Sequence, residues 1–201
     1  MLLLIDTISN CSRIIIKSDN ITNSSKILHN NKGQISEKII QKIIKLFEKK
    51  YSLKKITKII VCTGPGSFTG LRIGISTAIG LGLALNVKVY GINAFEILLR
   101  FSRIKYDFEE IHTFVQSSNN QNFLGVFDKK DQYIYKPKKI NDILELQNNK
   151  KNVLLISNEK VKNLQLNYSK VVYKQINEII INHDISKFKL EKKIIEPYYI
   201  N

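Results

Sequence analysis

The chain of 201 residues holds two cysteines, three prolines, one methionine and no tryptophan. Cys11 and Cys62 form no CxxC pair and cannot supply a disulfide framework. His29, His112 and His183 stand apart, with no second soft ligand at metal-binding spacing, so no zinc site is expected. No apolar run reaches about 18 residues, so no membrane span is expected. The opening Met1-Leu2-Leu3-Leu4-Ile5 meets Asp6 at once, follows no basic segment and is too short for a signal sequence. It reads as the buried strand of a cytosolic, cytoplasmic protein. Acidic residues are few: 17 Asp and Glu against 32 Lys and Arg leave a net charge of +15. That excess suits an anionic partner such as RNA. It equally suits AT-rich coding bias, since Lys, Asn and Ile recur throughout, as in Asn148-Asn149-Lys150-Lys151. The basic residues are spread along the chain, without the aromatic interleaving of an RNA-recognition motif.

The apolar content of 43% suffices for one good core, or for one full lobe and one small one. Leu2–Ile5 and Arg13–Lys17 read as strands, and residues 21–28 as a weaker third. Ile35, Ile39, Ile40, Ile43, Ile44 and Phe47 recur at helical spacing. A strand at Ile59–Cys62, a long helix to Leu85, a strand at Lys88–Gly91 and a helix at Ala94–Ile104 follow. Three antiparallel strands succeeded by αβα units make one lobe of the actin-like, ribonuclease-H-like α/β class. The second half repeats this weakly. Strands are predicted at His112–Gln116, Asn122–Phe127, Gln132–Tyr135, Val153–Ile156 and Val171–Tyr173. Helices are predicted over residues 140–146, 159–166 and 176–181. The expected division is 1–104, a first lobe with partner-binding helices, and 105–201, a reduced second lobe.

The most specific segment is Thr63-Gly64-Pro65-Gly66-Ser67-Phe68-Thr69-Gly70-Leu71-Arg72-Ile73-Gly74. Gly64 and Gly66 permit unusual backbone angles and close approach, and Ser67 or Thr69 can cap the following helix. A helix N-terminus at a strand end can hold a phosphate, for which Asp6, Gly64, Gly66, Ser67, Thr69, Gly70 and Arg72 are candidates. The other reading is a tight strand-to-helix turn. This is no Walker A loop, because no Gly-Lys-Ser/Thr follows. In the helix, Gly74, Ala78 and Gly82 share one face, and the rest is apolar on nearly every side. Such a helix is expected to be buried all round, in the core or against another protein.

Leu4-Ile5-Asp6-Thr7 with Ser12, the run from Gly64 to Gly74, Gly80-Leu81-Gly82-Leu83-Ala84, the Gly91-Ile92 step and the ending Glu196-Pro197-Tyr198-Tyr199-Ile200 together resemble the TsaB (YeaZ) family. The resemblance is strong over residues 1–100 and thin beyond. It implies two actin-like lobes and a scaffold rather than a catalyst. It also implies pairing with a TsaD-like catalytic subunit through a bundle of first-lobe helices. A TsaE-like ATPase and tRNA complete the assembly, which forms N6-threonylcarbamoyladenosine at position 37 of tRNAs reading ANN codons. A homodimer is the alternative when the chain is alone. ATP and metal then belong to the partners, with no cofactor bound by this chain alone. Ile35, Ile39, Ile43, Gly74, Ala78 and Gly82 become the interface candidates. Two positions depart from the family pattern. Gln116-Ser117-Ser118 stands where relatives carry Asp-Ala-Arg, and Ile35 stands where a His usually opens the first helix.

No catalytic set is expected. After Asp6 comes Thr7-Ile8-Ser9, with no glycine to admit phosphates and a β-branched Ile8 in the way. Asp6 is then free to cap a neighbouring turn. No His-x-x-x-His pair and no Ser-His-Asp motif occurs. The competing reading is an independent actin-like enzyme that hydrolyses nucleotides.

Overall fold

The computed structural model describes residues 1–8, 12–18, 21–26, 35–48, 52–117, 120–141, 151–160, 168–184, 188–191 and 195–200. Its strands are β1 (Leu2–Asp6), β2 (Arg13–Ser18), β3 (Ile21–Lys26), β4 (Lys58–Gly64), β5 (Val89–Asn93), β6 (Glu110–Gln116), β7 (Asn122–Phe127), β8 (Tyr133–Ile140), β9 (Val153–Ser157) and β10 (Lys170–Tyr173). Its α-helices are α1 (Ile35–Glu48), α2 (Phe68–Leu85), α3 (Ala94–Lys105) and α4 (Ile176–Asn182). A short 3-10 turn spans Leu53–Lys55.

The strands form two five-stranded sheets, ordered β3-β2-β1-β4-β5 and β8-β7-β6-β9-β10. In the first, β1 pairs antiparallel with β2 and parallel with β4. In the second, β6 pairs antiparallel with β7 and parallel with β9. The two sheets therefore share one topology: a three-stranded meander followed by two parallel strands. The α/β class and the two lobes of one type are as the sequence implied.

Burial explains the strand composition. Leu3, Leu4 and Ile5 of β1 and Ile59 to Cys62 of β4 are wholly buried, because both faces of this sheet are covered. On one face, Leu4, Ile60 and Ile92 meet α3, α4 and the inner face of the second sheet, including Ile111, Phe123 and Ile156. On the other face, Leu3, Ile5 and Val61 pack with Ile39, Ile43 and Phe47 of α1 and with Ile75 and Ala78 of α2. A third cluster, Phe114, Leu124, Val126, Ile140 and Leu155, lies on the outer face of the second sheet.

Most predicted elements stand within a residue or two of their expected bounds. β8 runs five residues past its predicted end, through Lys136-Pro137-Lys138-Lys139. That stretch has no apolar alternation and carries a proline. It is an edge strand, where a missing ladder N–H is tolerated. The helices expected at 140–146 and 159–166 fall almost wholly outside the described residues. Cys11 and His29 also lie outside them.

Candidate functional site

The Gly-rich turn is built by packing against its neighbours. Gly64 has φ +121°, in the region that side chains rarely adopt, and its peptide to Pro65 is cis. Ser67 caps α2 by accepting from the Gly70 N–H at 3.3 Å. The Thr7 hydroxyl donates to the Gly70 carbonyl at 2.7 Å. A side chain at Gly66 would strike Ile8, and one at Gly70 would strike the Thr7 backbone. The end of β1 thus lies directly on the turn. Asp6 is wholly buried, and its Oδ1 accepts the Ile8 N–H at 3.1 Å. This is the local capping role open to it in the sequence. Burial, and after it the nearby Asp6, push the Cys62 thiol well above its ordinary pKa. Of the two readings of this turn, the geometry favours the tight junction. Thr69 and Arg72 are exposed beside it.

The C-terminal segment closes over the same turn. Glu191 and Gly91 exchange backbone hydrogen bonds of 3.2 and 2.9 Å, extending the first sheet by one bridge. The Tyr198 N–H donates to the Thr63 carbonyl at 2.7 Å. Arg72 stacks 3.8 Å above the Phe68 ring, and its Nε donates to the Tyr199 hydroxyl at 3.2 Å. Sequence reasoning noted the terminal Pro-x-Tyr but not its destination. No periodicity encodes a contact between residues 72 and 199.

Helix α2 corrects two expectations. It is long and apolar enough by composition to cross a membrane, yet one face packs on β1, β4 and β5. It is not buried all round: Phe68 is 50% and Leu83 79% exposed, with Ile79 also exposed. Leu71, Gly74, Ile75, Ala78 and Gly82 face inward, while Phe68, Ile79 and Leu83 face outward. A Cβ at Gly74 would strike Thr7, one at Gly82 would strike Val89, and Ala78 is wholly buried. The face at Gly74 and Ala78 is therefore filled by this chain itself, while Gly82 meets Val89 and also borders an open groove. On α1, Ile39 and Ile43 are likewise in the core, while the side chain of Ile35 lies outside what is described. Ile39, Ile43, Gly74 and Ala78 line the interior rather than a partner interface. The open face belongs to their neighbours. Ile40 and Ile44 are exposed one above the other on α1. Phe68, Ile79 and Leu83 lie along α2, at spacings that place them on one side. Between the C-terminal end of α2 and the start of β5 lies an open groove of about 540 Å³, walled by Ile79, Gly82, Leu83, Asn86, Val89 and Ile195.

In the second lobe, Gln116 serves structure. Its N–H donates to Asn158 Oδ1 at 2.8 Å, its carbonyl accepts from Asn158 Nδ2 at 2.9 Å, and Ser117 is buried beside it. His112 is also buried, its ring nitrogens 2.6 Å from Tyr168 and from Glu110. No group of three or more potential metal ligands occurs among the described residues.

The family model described as TsaD, tRNA N6-adenosine threonylcarbamoyltransferase, matches residues 19–186. The tRNA threonylcarbamoyladenosine biosynthesis protein TsaB of Buchnera aphidicola subsp. Schizaphis graminum is 28% identical over 194 residues, covering 90% of this chain and 91% of that one. The tRNA N6-adenosine threonylcarbamoyltransferase of the same organism is 32% identical over 96 residues, covering 43% of this chain and 28% of that one. Among solved structures, YeaZ from Pseudomonas aeruginosa superposes with a TM-score of 0.63 at 15% identity, covering 98% of this chain and 99% of that one. A second Pseudomonas aeruginosa structure, of an uncharacterised protein with similarity to peptidase YeaZ, gives 0.65 at 14%, covering 100% and 99%. The distant structures share the fold, and the family model spans most of the sequence. The chain belongs to the tRNA N6-adenosine threonylcarbamoyltransferase family, and within it to the TsaB (YeaZ) group.

Proposed function

We propose that this chain is the cytoplasmic, non-catalytic scaffold of the pathway that makes threonylcarbamoyladenosine in tRNA. It docks a TsaD-like catalytic subunit through the outer face of α1 and α2. A TsaE-like ATPase and tRNA join through that complex, and ATP and metal are used by the partners. The observation that carries the reading is the exposed row Phe68, Ile79 and Leu83 on α2 beside Ile40 and Ile44 on α1. A second protein surface would remove these side chains from water, and interfaces of this kind have apolar centres. The scaffold role is supported by what occupies the phosphate end of β1. Asp6 is engaged by the Ile8 N–H, and Ile8 packs where a phosphate would need bare backbone. The test is reconstitution. Threonylcarbamoyl transfer to an unmodified tRNA transcript by the cognate catalytic subunit should require this chain, while the chain alone should not turn over ATP. ATP hydrolysis by the purified chain would instead support the independent enzyme.

A further inference from the structure

We propose that Arg72 is the charged anchor of the docking face on α1 and α2, where its guanidinium, held by Phe68 and Tyr199, takes a carboxylate side chain of the TsaD-like subunit. The proposal rests on the docking reading above and names the chemistry that the partner brings to one point of that face.

Arg72 stands in the exposed row itself. Phe68, Arg72, Ile79 and Leu83 follow one another one or two turns apart, all on the outward side of α2. Arg72 is the only charged residue of that helix. It touches the Phe68 ring and the Tyr199 hydroxyl, and among the described residues no carboxylate is paired with it. A protein surface that covers the row takes this cation out of water. Leaving it unanswered there is costly, so the partner has to bring an acceptor. Charge complementarity selects an Asp or Glu side chain.

The guanidinium is already placed for such a pairing. Its Cζ lies 3.8 Å from the centre of the Phe68 ring, and its Nε donates to the Tyr199 hydroxyl at 3.2 Å. The Tyr199 ring in turn packs on Phe68, centroids 5.2 Å apart. Stacking and one hydrogen bond fix the plane of the group and leave its two Nη atoms as the fork that a carboxylate accepts. A side chain held this way loses little freedom on binding.

Anchoring the tail does not account for the arrangement. The tail is fixed through its backbone, by the Glu191–Gly91 bonds and by the bond from the Tyr198 N–H to Thr63. Phe68 and Tyr199 nevertheless stay about half exposed. A phosphate could meet the same guanidinium, but Ile79 and Leu83 along the row suit a protein surface. Arg beside exposed aromatic rings is also the composition of interface hot spots.

The test measures association and dissociation of the full chain with its cognate catalytic subunit by biolayer interferometry, with Tm followed alongside. Arg72→Gln should weaken the complex about thirtyfold or more at unchanged Tm, chiefly through faster dissociation. Arg72→Lys keeps the charge without the fork and should recover only part of the affinity. Tyr199→Phe keeps the ring without the hydroxyl and should weaken binding about fivefold. Lys54→Gln, a charge-matched control on the exposed turn of the first lobe, should bind as the unaltered chain does. Arg72→Glu should abolish the complex, and changing one surface acid of the catalytic subunit to Arg should restore it. Full recovery with Arg72→Lys, or restoration of Arg72→Glu by no such change, would overturn the carboxylate pairing. So would a loss of affinity that merely tracks a fall in Tm across these variants. Unchanged affinity for Arg72→Gln, with Leu83→Asp still breaking the complex, would overturn the proposal and leave the docking reading in place. Unchanged subunit affinity with weakened binding of a tRNA transcript would overturn it in favour of a phosphate contact. Failure of the unaltered chain to bind the subunit would overturn both.

Discussion

At the residue scale, local chemistry was readable but destinations were not. Asp6 followed by Thr7-Ile8 indicated a carboxylate left to cap a neighbouring turn, and it accepts the Ile8 N–H. What sits around Asp6 depended on β4, fifty-odd residues away, which brings Cys62 beside it. The raised thiol pKa and complete burial predict that Cys62 resists a thiol-directed reagent at pH 8 in the folded chain and reacts on unfolding. Mass spectrometry of labelled peptides checks this; rapid native labelling of Cys62 would contradict it. Glu191 gives a pH dependence. Burial raises its carboxyl above the ordinary value of 4.5, with Thr63 pulling the other way. A raised folded pKa means the folded chain holds the proton more tightly. Its contribution to stability is therefore full below the unfolded value and lost as pH rises through the folded one. Glu191→Gln should flatten the fall in Tm between pH 4.5 and neutrality. A Tm profile unchanged by that substitution would show that the tail's attachment is indifferent to this charge.

At the element scale, α2 shows where periodicity is informative and where it is not. Its start and its closeness to a neighbour through small residues were legible, and of the two caps the sequence allowed, Ser67 and Thr69, the structure uses Ser67. Which neighbour was not legible. A glycine face fits a strand as well as a helix, and here it fits β1 and β5. In the same way, α1 carries two apolar rows, and spacing cannot say which one the core takes. The structure buries Ile39 and Ile43 and leaves out Ile40 and Ile44. The glycines can be sorted by experiment. Gly74→Ala should cost about 1–3 kcal/mol in urea denaturation, because its Cβ meets Thr7. Gly80→Ala should gain up to about 1 kcal/mol, because that position is exposed with nothing within 4 Å. The reverse order would mean that the packed face of α2 has been assigned to the wrong side. The proline and lysines of β8 hid a strand for a related reason: an edge does not demand alternation.

At the scale of the whole molecule, the duplicated topology follows from strand grammar that the sequence displayed twice, clearly in residues 2–93 and faintly in 110–173. The core between the sheets did not follow from it. The helices α3 and α4 are shared by both sheets, and only the folded chain brings Phe95 and Ile179 into one cluster with strands from each. This architecture leaves the outer face of α1 and α2 free for a partner. The face consists of side chains at the surface, so changing them should leave the fold intact, within about 0.5 kcal/mol. The central claim is tested most directly by co-purifying the cognate TsaD-like subunit with Leu83→Asp and with the double variant Ile40→Asp, Ile44→Asp. The account predicts a one-to-one complex with the unaltered chain and its loss in both variants at unchanged Tm. A complex that survives both changes intact would contradict it.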